Sequence, residues 1–199
     1  GRDPSSFLAE ARASLVTGAS VSGHFCVALG WVLAEEEAVH WQLLSGGDPA
    51  AAAEESARRL TTLREVNPKA VAGLLSGTRA ALALAEHALL AGRDPERHVA
   101  TALDLLREAG AASPGDKEAS LLGAEALLVR ARAARSDGPA WSAAGSAFQE
   151  ARRAAPWSFR ALTASARYYR WRAESPVPAR RLDREADRLA REALEANPA

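Results

Sequence analysis

Apolar residues recur at steps of three and four along most of the chain. Between 69 and 91, for example, Val71, Leu74, Leu75 and Leu82 fall along one stripe of a helix. Alanine supplies about a quarter of all residues and β-branched residues are sparse, a mixture that favours helix over strand. The pattern predicts an all-α protein.

Two kinds of helix breaker divide this pattern at regular intervals. Gly-x-Asp-Pro and its degenerate versions end at Pro4, Pro49, Pro95, Pro139 and Pro178. A second kind, proline after Asn, Ser or Ala, ends at Pro68, Pro114, Pro156 and Pro198. Glycine can end a helix with a positive φ, Asp can cap the next helix, and proline suits a first helical turn. Each breaker is therefore predicted to be a turn between helices.

Between the breakers the sequence predicts nine helices, in which longer A helices alternate with shorter B helices. Short connections require neighbouring helices to pack antiparallel. The predicted helices cover approximately 5–18, 23–45, 49–66, 69–91, 95–112, 115–135, 139–154, 157–174 and 179–196. They form a single domain over 1–199, with a half unit at 1–22 followed by units at 23–68, 69–114, 115–156 and 157–198.

The B helices carry a recognisable steric signature. Ala144, Phe148, Ala151 and Pro156 have the spacing Ala-x3-Phe-x2-Ala-x4-Pro, which resembles the end of a tetratricopeptide repeat. The positions equivalent to Ala144 recur after 45, 46, 42 and 42 residues, a longer period than that family has. This enlarged format resembles the repeats C-terminal to bacterial serine/threonine protein kinases, particularly myxobacterial ones.

The resemblance implies a right-handed α-solenoid of about four and a half antiparallel helix pairs, with a concave face that binds a protein or peptide. It also implies a regulatory or substrate-recruiting role in a signalling protein. The chain itself has neither a phosphate-binding glycine-rich loop nor a kinase catalytic motif, so we expect no enzyme activity and no cofactor. The lack of methionine suggests a fragment of a longer protein.

Charge is balanced overall, with 25 basic and 25 acidic residues, but it is unevenly distributed. Residues 1–66 sum to −4, 67–150 to −1 and 151–199 to +5. The single cysteine, Cys26, excludes an internal disulfide and a cysteine-based zinc cluster. We expect a cytoplasmic protein that does not insert into membranes, because there is no long apolar run.

The tetratricopeptide register implies which side chains lie on the concave face. There, arginines are expected to hold acidic groups of the partner, and Leu82, Leu121, Leu128 and Trp171 to anchor its apolar groups, while Tyr169 belongs to the core. The expected face consists of Arg79, Leu82, Glu118, Leu121, Glu125, Leu128, Arg160, Thr163, Arg167, Arg170 and Trp171.

Other interpretations of this sequence stay open. The same residues also fit an ordinary solvated helix face. The Arg- and Tyr-rich stretch at 167–172 could stack on bases, but the zero net charge disfavours nucleic acid. An effector-sensing domain of a transcriptional regulator or ATPase is an alternative that a deep pocket would favour. A third is a self-assembly module whose acidic and basic ends stack.

Overall fold

The computed structural model describes residues 4–21, 24–134, 138–173 and 180–196. Within these residues the chain forms nine α-helices and no β-strand, which confirms the all-α prediction. The helices are α1 (Pro4–Val21), α2 (Phe25–Leu44), α3 (Ala50–Val66), α4 (Val71–Leu90), α5 (Glu96–Ala112), α6 (Lys117–Ala134), α7 (Pro139–Ala154), α8 (Phe159–Ala173) and α9 (Arg180–Ala196).

The Gly-x-Asp-Pro turns have the predicted local chemistry where the structure describes them. Gly46 and Gly92 adopt φ values of 75° and 69°, which end α2 and α4. The Oδ1 atoms of Asp48 and Asp94 each accept a hydrogen bond at 2.9 Å from the first backbone N–H of the next helix. Three predicted breakers fall wholly or mainly outside the described residues, at 1–4, 175–178 and 197–198.

The A helices begin about two residues later than predicted, because proline in the second breaker belongs to a turn. At the start of α4, the backbone N–H of Ala70 donates to the Asn67 carbonyl at 3.2 Å. Ser158 N–H makes the same contact with the Ala155 carbonyl at 3.1 Å before α8. Each turn is completed before the helix starts, so Pro68 and Pro156 lie outside the helices that follow them.

The chain divides into two compact units, Gly1–Pro114 and Gly115–Ala199. The division coincides with the predicted boundary between the repeat units 69–114 and 115–156. In the first unit, α2 packs against α3 and α4 against α5, α1 contacts α2, and α4 contacts both α2 and α3. The prediction that all repeat units form one domain stays a prediction.

Small residues allow the helices of the first unit to approach closely. A Cβ added to Gly73 would lie 2.2 Å from Leu63 Cδ2, and one added to Gly77 would lie 2.6 Å from Leu60 Cδ2. Leu60 and Leu63 are both buried. Helix α3 thus rests directly on the backbone of α4.

The second unit pairs α6 with α7 and α8 with α9, and α8 also contacts α6 and α7. The residues of the tetratricopeptide-like signature lie at its centre, since Ala144, Phe148 and Ala151 are at most 1% exposed. Phe148 stacks near Tyr168, with ring centroids 5.5 Å apart. The signature therefore performs the packing role that its spacing predicts, with small residues around one large side chain.

Candidate partner-binding surfaces

The first predicted face residue, Arg79, connects two helices of the first unit. Its Nε and Nη2 donate to the Oε1 and Oε2 atoms of Glu36 at 2.5 and 3.0 Å. Beside this pair, Ser76 Oγ donates to the Val32 carbonyl at 3.4 Å. Glu36 is only 5% exposed, so its carboxylate is shielded from water. The bidentate ion pair with Arg79 therefore holds α4 against α2.

Two further predicted arginines make the same kind of connection in the second unit. Arg160 forms an ion pair with Glu118, and Arg167 Nη2 lies 3.5 Å from Glu125 Oε1. Thr163 lies between the two arginines on α8. The structure thus brings Glu125, Arg160, Thr163 and Arg167 together, where they line a shallow cavity of about 370 Å³.

The two remaining predicted face residues of α8, Arg170 and Trp171, also contact other residues of this chain. The guanidinium carbon of Arg132 lies 3.7 Å from the centroid of the Trp171 ring, and that of Arg167 lies 5.2 Å from it. Trp171 is therefore partly buried by cation–π contacts. Arg170 is exposed, and its Nη2 lies 3.9 Å from Asp187 Oδ1.

Three predicted anchors are wrong. Leu82, Leu121 and Leu128 are 6%, 3% and 1% exposed. Leu121 and Leu128 pack in a cluster with Ala161, Ala164 and other small residues of the second unit. An anchor must be accessible to a partner, so these leucines stabilise the fold instead.

Two neighbouring tyrosines of α8 pack against the core, and Tyr169, the predicted one, is the less buried of the two. Tyr168 is 3% exposed, and its hydroxyl donates to the Trp141 carbonyl at 3.1 Å while accepting from Arg172 at 2.9 Å. Tyr169 is only half-buried, although burial and then the charge of Glu185 raise its pKa. Tyr169 therefore contacts the core as the register implied, while Tyr168, about 100° away around the helix, is the more completely enclosed of the two.

The ion pairs follow the repeat period, a regularity that the sequence analysis missed. Glu36 and Arg79 are 43 residues apart, and the other two Glu–Arg pairs of the A helices are 42 apart. In each pair the glutamate is on the earlier A helix. Searching for opposite charges one repeat apart on A helices would have found this signal.

An open apolar groove lies between α1 and α2. Its volume is about 810 Å³. Phe7 is 51% exposed, Leu33 39% and Leu44 82%. The other large apolar side chains in its lining are Leu8, Leu15 and Trp41, and Glu37 and His40 contribute polar atoms. Sequence reasoning missed this groove because its lining comes from two helices and matches no motif.

An ion pair between the half-exposed Arg12 and the buried Glu35 fixes α1 beside α2. Arg12 Nε and Nη2 donate to Glu35 Oε1 and Oε2 at 2.9 and 2.5 Å. Glu35 is 1% exposed, and its hydrogen bonds raise the pKa of Arg12. Farther along, Leu15 Cδ2 would lie 2.8 Å from a Cβ at Gly30. The groove is thus built on a firmly attached pair of helices.

A separate cavity of about 490 Å³ lies beside the two Gly-x-Asp-Pro turns of the first unit. Asp48 and Asp94 line it together with Arg93, Arg97 and His98. Partial burial, followed by the positive charges of Arg97 and Arg93, lowers the pKa of His98. Burial and the two neighbouring arginines thus both disfavour the protonated imidazolium.

The described residues include no group of three or more His, Cys, Asp or Glu side chains placed to hold a metal ion. No helix in the described ranges is long and apolar enough to cross a bilayer. The chain matches no protein-family model, and no curated protein matches it.

Proposed function

We propose that this chain is a non-catalytic protein-interaction module, a tetratricopeptide-like α-solenoid with a right-handed superhelix, which binds an amphipathic helix in the groove between α1 and α2. The observation that carries the proposal is the groove itself. A concave site of this volume, lined mainly by apolar side chains with a few polar groups, is typical of binding sites. An amphipathic helix is the ligand that such a groove between two helices accommodates.

The repeat supports this assignment by internal analogy. Aligning the starts of α2 and α4 matches Ser76, Arg79, Ala80 and Ala83 with Gly30, Leu33, Ala34 and Glu37. The four α4 residues form the surface that α2 contacts. Their α2 counterparts all line the groove. The groove on α2 therefore corresponds to the surface of α4 that contacts α2, and an A helix of the same repeat type is expected to fit it.

The predicted charged face is a weaker candidate. An acidic partner would have to displace Glu36, Glu118 or Glu125 from an arginine that already binds it. The exchange replaces one ion pair by another and gains little free energy at a solvated surface. We therefore place the partner on the groove and assign the Glu–Arg pairs to helix stacking.

A role in a signalling protein, such as a serine/threonine kinase, rests on the resemblance of the repeats alone. In that context the module recruits a substrate or regulator. The groove supports recruitment of a helix, whichever domain accompanies the module.

The proposal is tested with a fluorescein-labelled helical peptide that carries leucine at i, i+4, i+7 and i+11 and lysine elsewhere. We expect anisotropy to show micromolar binding, and Leu33→Glu to weaken it about tenfold or more. Trp157→Glu is the matched control, because Trp157 is 85% exposed and lies far along the chain from the groove residues. Equal affinity for the Leu33→Glu variant and the unaltered chain would contradict the assignment.

A second candidate function, binding of a small charged effector, is favoured by the cavity beside the turns. Its volume falls within the usual range for small-molecule sites, and Arg93 and Arg97 supply anion-binding groups. Calorimetry with citrate and with pyrophosphate tests this candidate. Heat of binding that disappears in Arg97→Ala supports this candidate. The absence of heat with both probes contradicts it.

A further inference from the structure

We infer that the groove binds a second copy of this chain, so that two α2 helices pack antiparallel across a twofold axis. The inference rests on the proposed function, because it names the helix that the groove accepts. A twofold interface is self-complementary, because both copies contribute the same surface and every contact between two residues occurs twice. A candidate surface must therefore match itself in shape and charge.

Helix α2 carries two stripes with the same spacing. The first stripe is Val32, Glu36, Val39 and Leu43, and it meets α4 through the Glu36–Arg79 pair and the contacts of Val39 and Leu43 with Ala80 and Ala83. The second stripe is Leu33, Glu37, His40 and Leu44, one residue further along, and it lines the groove. Steps of four, three and four form the seam of an antiparallel coiled-coil contact. One helix thus presents a covered seam and an open one.

The open stripe is complementary to itself when reversed about a point between Ala38 and Val39. Leu33 then faces the partner's Leu44, and Glu37 faces the partner's His40. Apolar groups meet apolar groups at both ends, and a carboxylate meets an imidazole twice in the middle. Glu37 is exposed, so it can accept this contact. His40 Nε2 lies 3.8 Å from Glu36 Oε1 of the same helix, and its side chain is 42% exposed, so the imidazole can also reach the partner's Glu37.

Helix α1 adds apolar area on one side of the seam. Phe7, 51% exposed, and Leu8 belong to the same lining as Leu33 and Leu44. They extend the patch beyond α2, so each α2 enters a groove instead of lying on a single helix. Removing such side chains from water stabilises the contact.

The other A-helix candidate in a second copy, α8, is a poor match. On α8, Thr163 and Arg170 lie 42 residues after Leu121 and Leu128, two leucines of α6 that are buried. A stripe with threonine and arginine at those positions resembles the polar outer face of a capping repeat. It does not supply the apolar side chains that the groove requires, which favours the twofold contact over stacking of one end on the other.

Sedimentation velocity of the full chain across the micromolar range tests the inference. We expect the mass to rise from 21.0 kDa at low concentration towards twice that value. Leu33→Glu and Leu44→Glu should each shift the midpoint to about tenfold higher concentration or more. Leu194→Glu, on α9 and 67% exposed before substitution, is the matched control and should leave the midpoint unchanged. Circular dichroism confirms that each variant is folded.

A charge exchange tests the predicted register. Glu37→Lys should weaken association several-fold, because lysine then faces the partner's His40. Adding His40→Glu to that variant should restore it, since the new lysine then faces a carboxylate across the axis. Failure of the double variant to recover overturns the antiparallel register.

A chain that stays at 21.0 kDa at every concentration overturns the second copy as occupant. If that monomer binds the leucine peptide, the proposed function stands and only the present inference fails. If it binds neither the peptide nor itself, both fail. Dimers that persist in Leu33→Glu and Leu44→Glu also overturn the inference, because association then uses another surface.

Discussion

The two faces of α2 carry similar residues but differ in what covers them. On one face, Val39 is fully buried against Ala80 and Ala83 of α4. On the other, Leu44 is 82% exposed beside an open groove. Both faces have apolar residues at the two ends and a glutamate at the second position, and they differ at the third, where Val39 corresponds to His40. Leu43 and Leu44 occupy equivalent positions, so pattern alone does not determine how far each face is covered. A neighbouring helix does, and the open face marks where such a neighbour binds.

The largest predicted effect separates the two faces directly. Val39→Asp buries a carboxylate without a partner, so we expect the free energy of unfolding to fall by more than about 3 kcal/mol, or the first unit not to fold. Leu44→Asp should change it by less than about 0.5 kcal/mol, because that side chain is solvated. Urea unfolding followed by circular dichroism at low protein concentration measures both. Similar losses would show that the faces are not different.

A second prediction concerns the ion pair under the groove. Arg12→Ala leaves the buried Glu35 carboxylate without its two hydrogen bonds, so stability should fall by about 1 to 3 kcal/mol. Arg107→Ala is the control, because Arg107 and Asp104 are both largely exposed; it should cost less than about 0.5 kcal/mol. The same unfolding assay measures both variants. Equal, small losses would mean that α1 is not held by this pair.

Two glycines distinguish a covered helix contact from one at the groove. A Cβ at Gly77 meets Leu60 Cδ2 at 2.6 Å and Leu105 Cδ1 at 3.2 Å, both on buried side chains, so Gly77→Ala should destabilise by about 1 to 2 kcal/mol. A Cβ at Gly30 meets only the flexible end of Leu15. We expect Leu15 to move into the groove, so Gly30→Ala should be neutral or gain up to about 1 kcal/mol from helix propensity. Thermal unfolding of the two variants compares them.

The smallest predicted effect concerns the ion pairs between A helices. Arg160 is 48% exposed as a side chain, so Arg160→Ala should cost about 0.2 to 1 kcal/mol in dilute buffer and almost nothing near 1 M salt. Arg79 is half as exposed, with a nearly buried Glu36, and its loss should depend less on salt. Unfolding at two salt concentrations gives both differences. Identical salt dependence would contradict the link to burial.

Much of the helical organisation could be predicted from the sequence, because it depends on local chemistry. Gly92, Asp94 and Pro95 specify a turn through backbone φ, a side-chain cap and ring geometry, and none of these needs a distant partner. The same holds for the small residues Ala144 and Ala151 around Phe148. These features were therefore read correctly from one chain.

The surfaces were predicted less well, since they depend on which helices meet. Leu128 has the same sequence environment whether it faces solvent or another helix, and only tertiary packing shows that it is buried. Arg167 was expected to bind a partner, yet Glu125 and Trp171 are its neighbours in the fold. The groove combines Phe7 with Leu44, and no local pattern relates residues on separate helices.

The Glu–Arg pairs of the A helices also solve a problem of alignment. Alanine-rich surfaces are smooth and nearly uniform, so two such helices could slide by a turn with little change in apolar contact. In α6 and α8, Glu118 and Glu125 are seven residues apart, as are Arg160 and Arg167. If α8 slips along α6 by one helical turn, nearly four residues, both charge pairs are broken at once. The pairs therefore specify how the two helices align, because misaligned stacking loses both of them, even though each pair adds little to stability.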